Sequence, residues 1–350
     1  MSSDYIDKGQ ILVQVLPTFI TLEFVLGVTG NGVALWIFYH MKPWRSSTVF
    51  LFNLALTDFL LNMALPLRAS YYLSGIDWRF GDTVCRVSLF MLAMNRCGSV
   101  LFLTAVAVDR YMRVVHPLHA LNSMSVGRAV RIAGLLWTVT ITLNVTLLTE
   151  SRLVRTNLTV KCESFNSPSQ YYSAVFFLEF LVALGVIIFC TTRTYEKLRE
   201  RFAKSDTRIR RIMRCLNLVM VVFTVCFLPC NVTRVLIWMR GTKKPCEWES
   251  VEALEMAFYI TICLTYLNSM LDPVLYYFSS PSFRRTFSQL VAAKVKHGLG
   301  RTRTTATKRK RPQRTYVNEL FANLQNVESC DGVRRTEGRL QHSTQSTSGI

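Results

Sequence analysis

Residues 83–114 read TVCRVSLFMLAMNRCGSVLFLTAVAVDRYMRV. A helix needs roughly 20 mainly apolar residues to cross a bilayer, and this stretch exceeds that with one charge, Arg96, between Arg86 and Asp109. Such a helix satisfies its own backbone hydrogen bonds, so its apolar side chains can face lipid. Six more stretches of the same kind lie at 11–39, 47–73, 127–149, 171–195, 212–239 and 251–278. The expected fold is an all-α membrane protein, a seven-transmembrane-helix bundle. Phe283, Phe287 and Leu290 recur at helical spacing beside Arg284 and Arg285, as expected of a short amphipathic eighth helix on the inner leaflet.

Composition agrees with this. Half of the 350 residues are hydrophobic and 18% charged, too little charge for the surface of a soluble domain. The net charge of +19 lies between the apolar stretches and in the tail, which excludes nucleic acid as the favoured partner. Lys42, Arg45, Arg113, Arg128, Arg131 and the run from Arg193 to Arg214 surround the first, third and fifth connections. The other three connections are poorer in basic residues, which places the N-terminus outside the cell and the C-terminus in the cytosol. The expected organisation is an extracellular tail over 1–10, the bundle over 11–278, the amphipathic helix over 279–292 and a disordered basic Ser/Thr-rich cytosolic tail over 293–350. The polar start, without a basic n-region, predicts no cleaved leader. Asn157-Leu-Thr159 falls in an outside loop as a glycosylation sequon. The ten cysteines form no CxxC pair, so neither a zinc site nor a redox motif is expected.

Ionisable groups at membrane depth cost about 2.5–3.5 kcal/mol each on insertion scales, so they point inward and usually serve function. Asn31, Asp58, Asn95, Ser99, Asn268 and Asp272 lie at such depth in four different spans. A buried carboxylate among hydroxyls and amides either binds a cation, here an allosteric sodium ion, or holds a protonated acid in a hydrogen-bond network. Helix–helix glue is the structural alternative. The third span ends in Asp109-Arg110-Tyr111 at the cytosolic face, where the arginine can pair with its neighbouring carboxylate in one state and be released in another.

These motifs resemble the rhodopsin-like (class A) G-protein-coupled receptors. The resemblance is carried by Asn31, Leu54-Ala55-Leu56-Thr57-Asp58, Asp109-Arg110-Tyr111, Trp137, Cys226-Phe227-Leu228-Pro229 and Asp272-Pro273-Val274-Leu275-Tyr276, and reaches every helix. It implies a disulfide between Cys85 and Cys162, both outside on this topology. Trp78-Arg79-Phe80-Gly81-Asp82, Phe90 to Arg96, Val115-His116-Pro117 and Tyr276 to Phe283 are similar to the hydroxycarboxylic acid receptors and, close by, the oxoeicosanoid receptor. That resemblance implies a plasma-membrane receptor for a carboxylate ligand that lowers cyclic AMP through a Gi/o heterotrimer, with arrestin engaging the Ser/Thr-rich tail.

Arg96 lies about four turns before Arg110, in the outer half of the bundle, facing inward. An unpaired guanidinium there is costly, no acid sits one turn away on its own helix, and a ligand carboxylate would satisfy it with a bidentate bond. An ion pair with Glu23 or Glu179 across the bundle is the alternative. The resemblance makes Arg96 the carboxylate anchor, with Ser164 and Tyr266 as hydrogen-bond donors. Arg68 and Arg234, near the outer ends of their helices, add positive field. Phe223 and Phe227 are expected to repack as the sixth span swings, Pro229 supplying the bend. Asp109, Arg110, Tyr111 and Tyr276 belong to the G-protein coupling face. Ala183 stands where the family has a proline, so the fifth span lacks a customary kink.

Other classes fit less well. A retinal-type pump needs a lysine in the seventh span, and 251–278 contains none. A transporter would show internal repeats. No nucleophile–base set or metal-ligand spacing argues for an enzyme.

Overall fold

The computed structural model describes residues 14–116, 124–155, 159–162, 170–201, 207–241 and 248–302. Its elements are α1 (Leu16–His40), α2 (Ser46–Leu73), α3 (Gly81–Val115), α4 (Val126–Asn144) and the single turn α5 (Thr146–Thr149). There follow a hairpin of β1 (Leu153–Arg155) and β2 (Val160–Cys162), then α6 (Gln170–Arg201), α7 (Thr207–Gly241), α8 (Trp248–Ser279) and α9 (Pro281–Thr302). Seven of these helices are long and apolar enough to cross a membrane. The predicted seven-helix bundle with a further helix after it is therefore the observed fold. The chain clusters as one unit through Val291 and a second from Ala292 onward.

Two boundaries differ from the expectation. The fourth span, expected over 127–149, breaks at Val145, after which one turn continues as α5. The helix after the bundle runs to Thr302, past 292.

The helices pack in sequence order, α1 on α2, α2 on α3, α3 on α6, α6 on α7 and α7 on α8. The ring closes through α1 against α8, while α4 covers α2 and α3. α1 buries one stripe, Ile20, Glu23, Gly27, Asn31, Ala34 and Phe38, while Leu22, Val25, Leu26, Val33 and Trp36 face outward. An outward apolar face is what a helix presents to lipid, so water-driven burial is not what holds the bundle. Close approach and interhelical polar contacts take over that role. Gly98 shows this: a Cβ there would lie 2.7 Å from the Thr57 side chain, so glycine is what lets α3 approach α2. Pro229 lies inside α7 and Pro273 inside α8, whereas α6 runs unbroken past Ala183.

Candidate functional site

At the outer end of the bundle a cavity of about 40 Å³ has three arginines in its wall, Arg68 from α2, Arg96 from α3 and Arg234 from α7. Tyr266 and Thr265 of α8 add hydroxyls, and Leu89, Leu92, Leu147 and Ile262 make the rest largely apolar. Each arginine is held differently. Arg68 is buried and donates from Nη1 to the carbonyl of Cys162 at 3.1 Å, its Nε lacking a hydrogen-bond partner. Arg96 lies over the ring of Phe176, Cζ 3.6 Å from the centroid. Arg234 lies over the same ring at 5.1 Å and near Phe258 at 5.6 Å. Phe176 thus carries two guanidiniums on one aromatic ring, a cation–π arrangement that tolerates two like charges side by side.

Neither acid considered as an internal partner closes an ion pair with Arg96, since among the described residues no acidic oxygen lies within 4.0 Å of it, although the Glu179 carboxyl is near enough to feel its charge. Glu23 is buried with both carboxyl oxygens lacking a hydrogen bond, and Glu179 has Oε1 in the same condition. The expected anchor, Arg96, therefore stands beside Arg68, Arg234 and Tyr266 in one cavity, and among the described residues it closes no ion pair. Ser164 and Asn157 lie outside the described residues. Phe176 was not singled out from the sequence, where nothing distinguishes it from its neighbour Phe177 on an apolar helix.

The β1–β2 hairpin touches the wall of this cavity through the Cys162 carbonyl on Arg68. Cys85 and Cys162 are joined by a disulfide that ties β2 to the first turns of α3. The Trp78 N–H donates to the Val160 carbonyl at 2.7 Å, and the Val160 N–H donates to Asp77 at 3.1 Å. That backbone donor, with Arg79 beside it, holds the Asp77 carboxyl below the usual carboxylate range. A lowered carboxylate favours the docked hairpin at neutral pH and loses that effect only as pH falls through the lowered value, so mild acidification leaves the hairpin in place.

Deeper in the bundle, the six predicted polar residues come together. Asn95 donates to Asp58 Oδ1 at 3.0 Å and Ser99 to the same oxygen at 3.5 Å, while the Tyr276 hydroxyl donates to Asp58 Oδ2 at 3.0 Å. Asn31 donates to the Ser269 carbonyl and accepts from Tyr276, and Asn268 donates to Asp272. Asp272 Oδ1, Asn268 Oδ1 and Ser269 Oγ are buried without hydrogen-bond partners. Between this layer and the cavity, Phe180, Phe223 and Phe227 form a stack, Phe180 parallel to Phe223 at 5.4 Å and Phe223 tilted on Phe227 at 5.3 Å.

At the cytosolic end Arg110 is in the released arrangement, one of the two expected of it, and is not paired with Asp109. Asp109 instead takes Arg113, and Arg110 donates to the carbonyl of Ser279 at 3.0 Å. The Tyr111 hydroxyl lies 3.1 Å from the His116 ring. The i,i+4 spacing of Asp109 and Arg113 was a signal in the sequence that the more conspicuous tripeptide hid.

Comparison with known proteins agrees with this arrangement. Residues 30–276 match the model of the 7 transmembrane receptor (rhodopsin family). The chain is 48% identical to hydroxycarboxylic acid receptor 2 of Homo sapiens over 288 residues, covering 81% of this chain and 79% of that one. It is 42% identical to hydroxycarboxylic acid receptor 1 of Mus musculus over 338 residues, 94% of each chain. It is also 42% identical to oxoeicosanoid receptor 1 of Homo sapiens over 274 residues, 77% of this chain and 70% of that one.

Proposed function

This chain belongs to the rhodopsin family of seven-transmembrane receptors, and we propose that within it the protein is a receptor for a small hydroxycarboxylic acid, coupled to Gi/o and lowering cyclic AMP. Membership makes it a multi-pass plasma-membrane protein, a receptor and not an enzyme, that joins a small-molecule ligand to a heterotrimeric G protein. In this reading the N-terminus lies outside the cell, and arrestin engages the Ser/Thr-rich tail, which lies outside the described residues. The observation that carries the ligand class is Arg96, a cation in the wall of an outer cavity that closes no ion pair among the described residues. A ligand carboxylate would supply the bidentate acceptor that the protein withholds, and Tyr266 a hydroxyl donor beside it.

Cavity size favours the smaller of the two ligand classes. One water needs roughly 10–15 Å³ of space in this measure. About 40 Å³ therefore suits a lactate-sized acid better than an oxidised fatty acid, whose chain would have to displace Leu89, Leu92 and Ile262. In a cyclic AMP inhibition assay, short hydroxy acids should act and potency should fall steeply as the chain lengthens. Their methyl esters should be inert. Equal potency of acid and ester would dispose of an anionic ligand, and selective response to long oxo-acids would return the oxoeicosanoid reading.

For the deeper network we propose an allosteric sodium ion. The donor set suits a hard monovalent cation: two carboxylates, the hydrogen-bonded Asp58 and Asp272, whose Oδ1 lacks a hydrogen-bond partner, as do Asn268 Oδ1 and Ser269 Oγ. These residues would hold the ion, which would supply positive charge that favours the resting packing of α8. Replacing choline by sodium at constant ionic strength should then weaken agonist binding severalfold in the wild type and leave Asp58→Asn unaffected. A sodium effect that persists in Asp58→Asn would move the ion elsewhere.

A further inference from the structure

Asp109 and Arg110 are adjacent, and adjacent residues on an α-helix point about 100° apart. Positions one turn apart share a face, and an acid preceding a base by four residues is the favourable order. The cytosolic end of α3 follows this geometry. Arg113 grips Asp109 with two bonds, Nε to Oδ2 at 2.8 Å and Nη2 to Oδ1 at 3.1 Å, and also donates to Ser46 Oγ at 2.6 Å. Ser46, the first residue of α2, donates in turn to Asp109 Oδ1 at 3.4 Å. Asp109 and Ser46 are buried and Arg113 is partly exposed, so the cluster reaches from the wall of the bundle to its surface.

Arg110 is left with a neutral acceptor. Its Nη2 donates to the carbonyl of Ser279, the last residue of α8, while its Nε is buried without a hydrogen-bond partner. A carbonyl at a helix C-terminus carries part of the negative end of the helix dipole, enough to orient a guanidinium. It holds far less tightly than a bidentate carboxylate. Ser279 also places its Oγ 2.8 Å from Cys215 Sγ of α7, so the carbonyl Arg110 leans on lies where α3, α7 and α8 meet.

We propose that Arg113 is a positioning residue for G-protein coupling: by occupying Asp109 it keeps Arg110 from its neighbouring carboxylate and within reach of a partner entering beside α7 and α8. Arg110 then exchanges one carbonyl for an acceptor on the G protein, without first breaking an ion pair. The receptor accordingly signals without agonist, and Arg113 sets that level. The inference rests on coupling to a heterotrimeric G protein and is independent of which ligand fills the outer cavity.

The test is agonist-independent nucleotide exchange on the heterotrimer in membranes carrying matched amounts of receptor. Arg113→Gln should lower basal exchange roughly three- to tenfold, because Asp109 becomes available to Arg110. Ser46→Ala should lower it less, since it loosens Arg113 without removing it. In an Asp109→Asn background there is no carboxylate to compete for, so adding Arg113→Gln should change nothing further. Basal exchange unchanged or raised by Arg113→Gln would overturn the proposal. So would an equal loss in the Asp109→Asn background, the mark of a purely structural arginine. Wild-type basal exchange no higher than in receptor-free membranes would overturn it too, and agonist titration of the same membranes then shows separately whether coupling itself holds.

Discussion

Arg96→Ala is expected to raise the concentration of a carboxylate agonist needed for half-maximal cyclic AMP inhibition from roughly thirtyfold to more than a thousandfold, at matched surface expression. Truncating one partner of a buried charge pair costs about 2–5 kcal/mol, much of it for the charge left unpaired, and every 1.4 kcal/mol is tenfold. In the agonist-bound receptor that unpaired charge would be the ligand carboxylate, enclosed with Leu89, Leu92 and Ile262. Arg96→Lys keeps the charge but loses both the planar fork and the seat on Phe176, so it should fall between wild type and alanine.

A second measurement separates binding from folding. Without agonist, Arg96 closes no ion pair among the described residues, and its cation–π contact with Phe176 is offset by the cost of holding a cation beside Arg68 and Arg234. Thermal stability of the agonist-free receptor should therefore be unchanged or raised by Arg96→Ala. A clear loss of stability, with agonist potency preserved, would make Arg96 a structural residue and end the anchor assignment.

The number and order of the spans were the most legible layer of this protein. Span length is read along the chain and needs no knowledge of packing. The inward face of α2 and α8 was legible for a related reason. Asp58, Asn268 and Asp272 are conspicuous in an apolar background, and lipid leaves them nowhere to point but inward. Arg96 was visible on the same ground.

What stayed hidden depends on three-dimensional packing among residues of ordinary type. The break at Val145 carries neither glycine nor proline, so nothing local marks it. Phe176 is one aromatic among several in α6, and only the convergence of α3 and α7 brings two arginines onto its ring. The size of the cavity follows from how Leu89, Leu147 and Ile262 interdigitate, which pattern alone does not specify. At the cytosolic end a familiar tripeptide drew attention to neighbours in sequence, when the helix had already assigned Asp109 to the residue one turn further on.

Cys85→Ser and Cys162→Ser should each remove most of the receptor from the cell surface, and the double variant should be no worse than either. The bond closes a separation of 77 residues. For a water-soluble chain, cross-linking a loop of that length stabilises by about 4 kcal/mol, largely through the unfolded state. Here the intervening residues include most of α3 and all of α4, which the bilayer already confines, so the entropic share is smaller. The local share is larger, because the bond holds β2 against α3, where Cys162 touches a residue of the cavity wall. Cys162 presents its carbonyl to Arg68, and its strand carries the Val160 contacts to Trp78 and Asp77. Freed from α3, the hairpin would release Arg68 from the carbonyl that orients it and open the cavity to water, weakening every charged contact inside. Receptor that still reaches the surface should consequently bind carboxylate agonist at least tenfold more weakly. The same loss should follow treatment of intact cells expressing wild type with a membrane-impermeant reductant. Full agonist potency in the surface-exposed fraction of either cysteine variant would mean that the hairpin holds its place through the Trp78, Asp77 and Arg68 contacts alone and owes nothing to the disulfide.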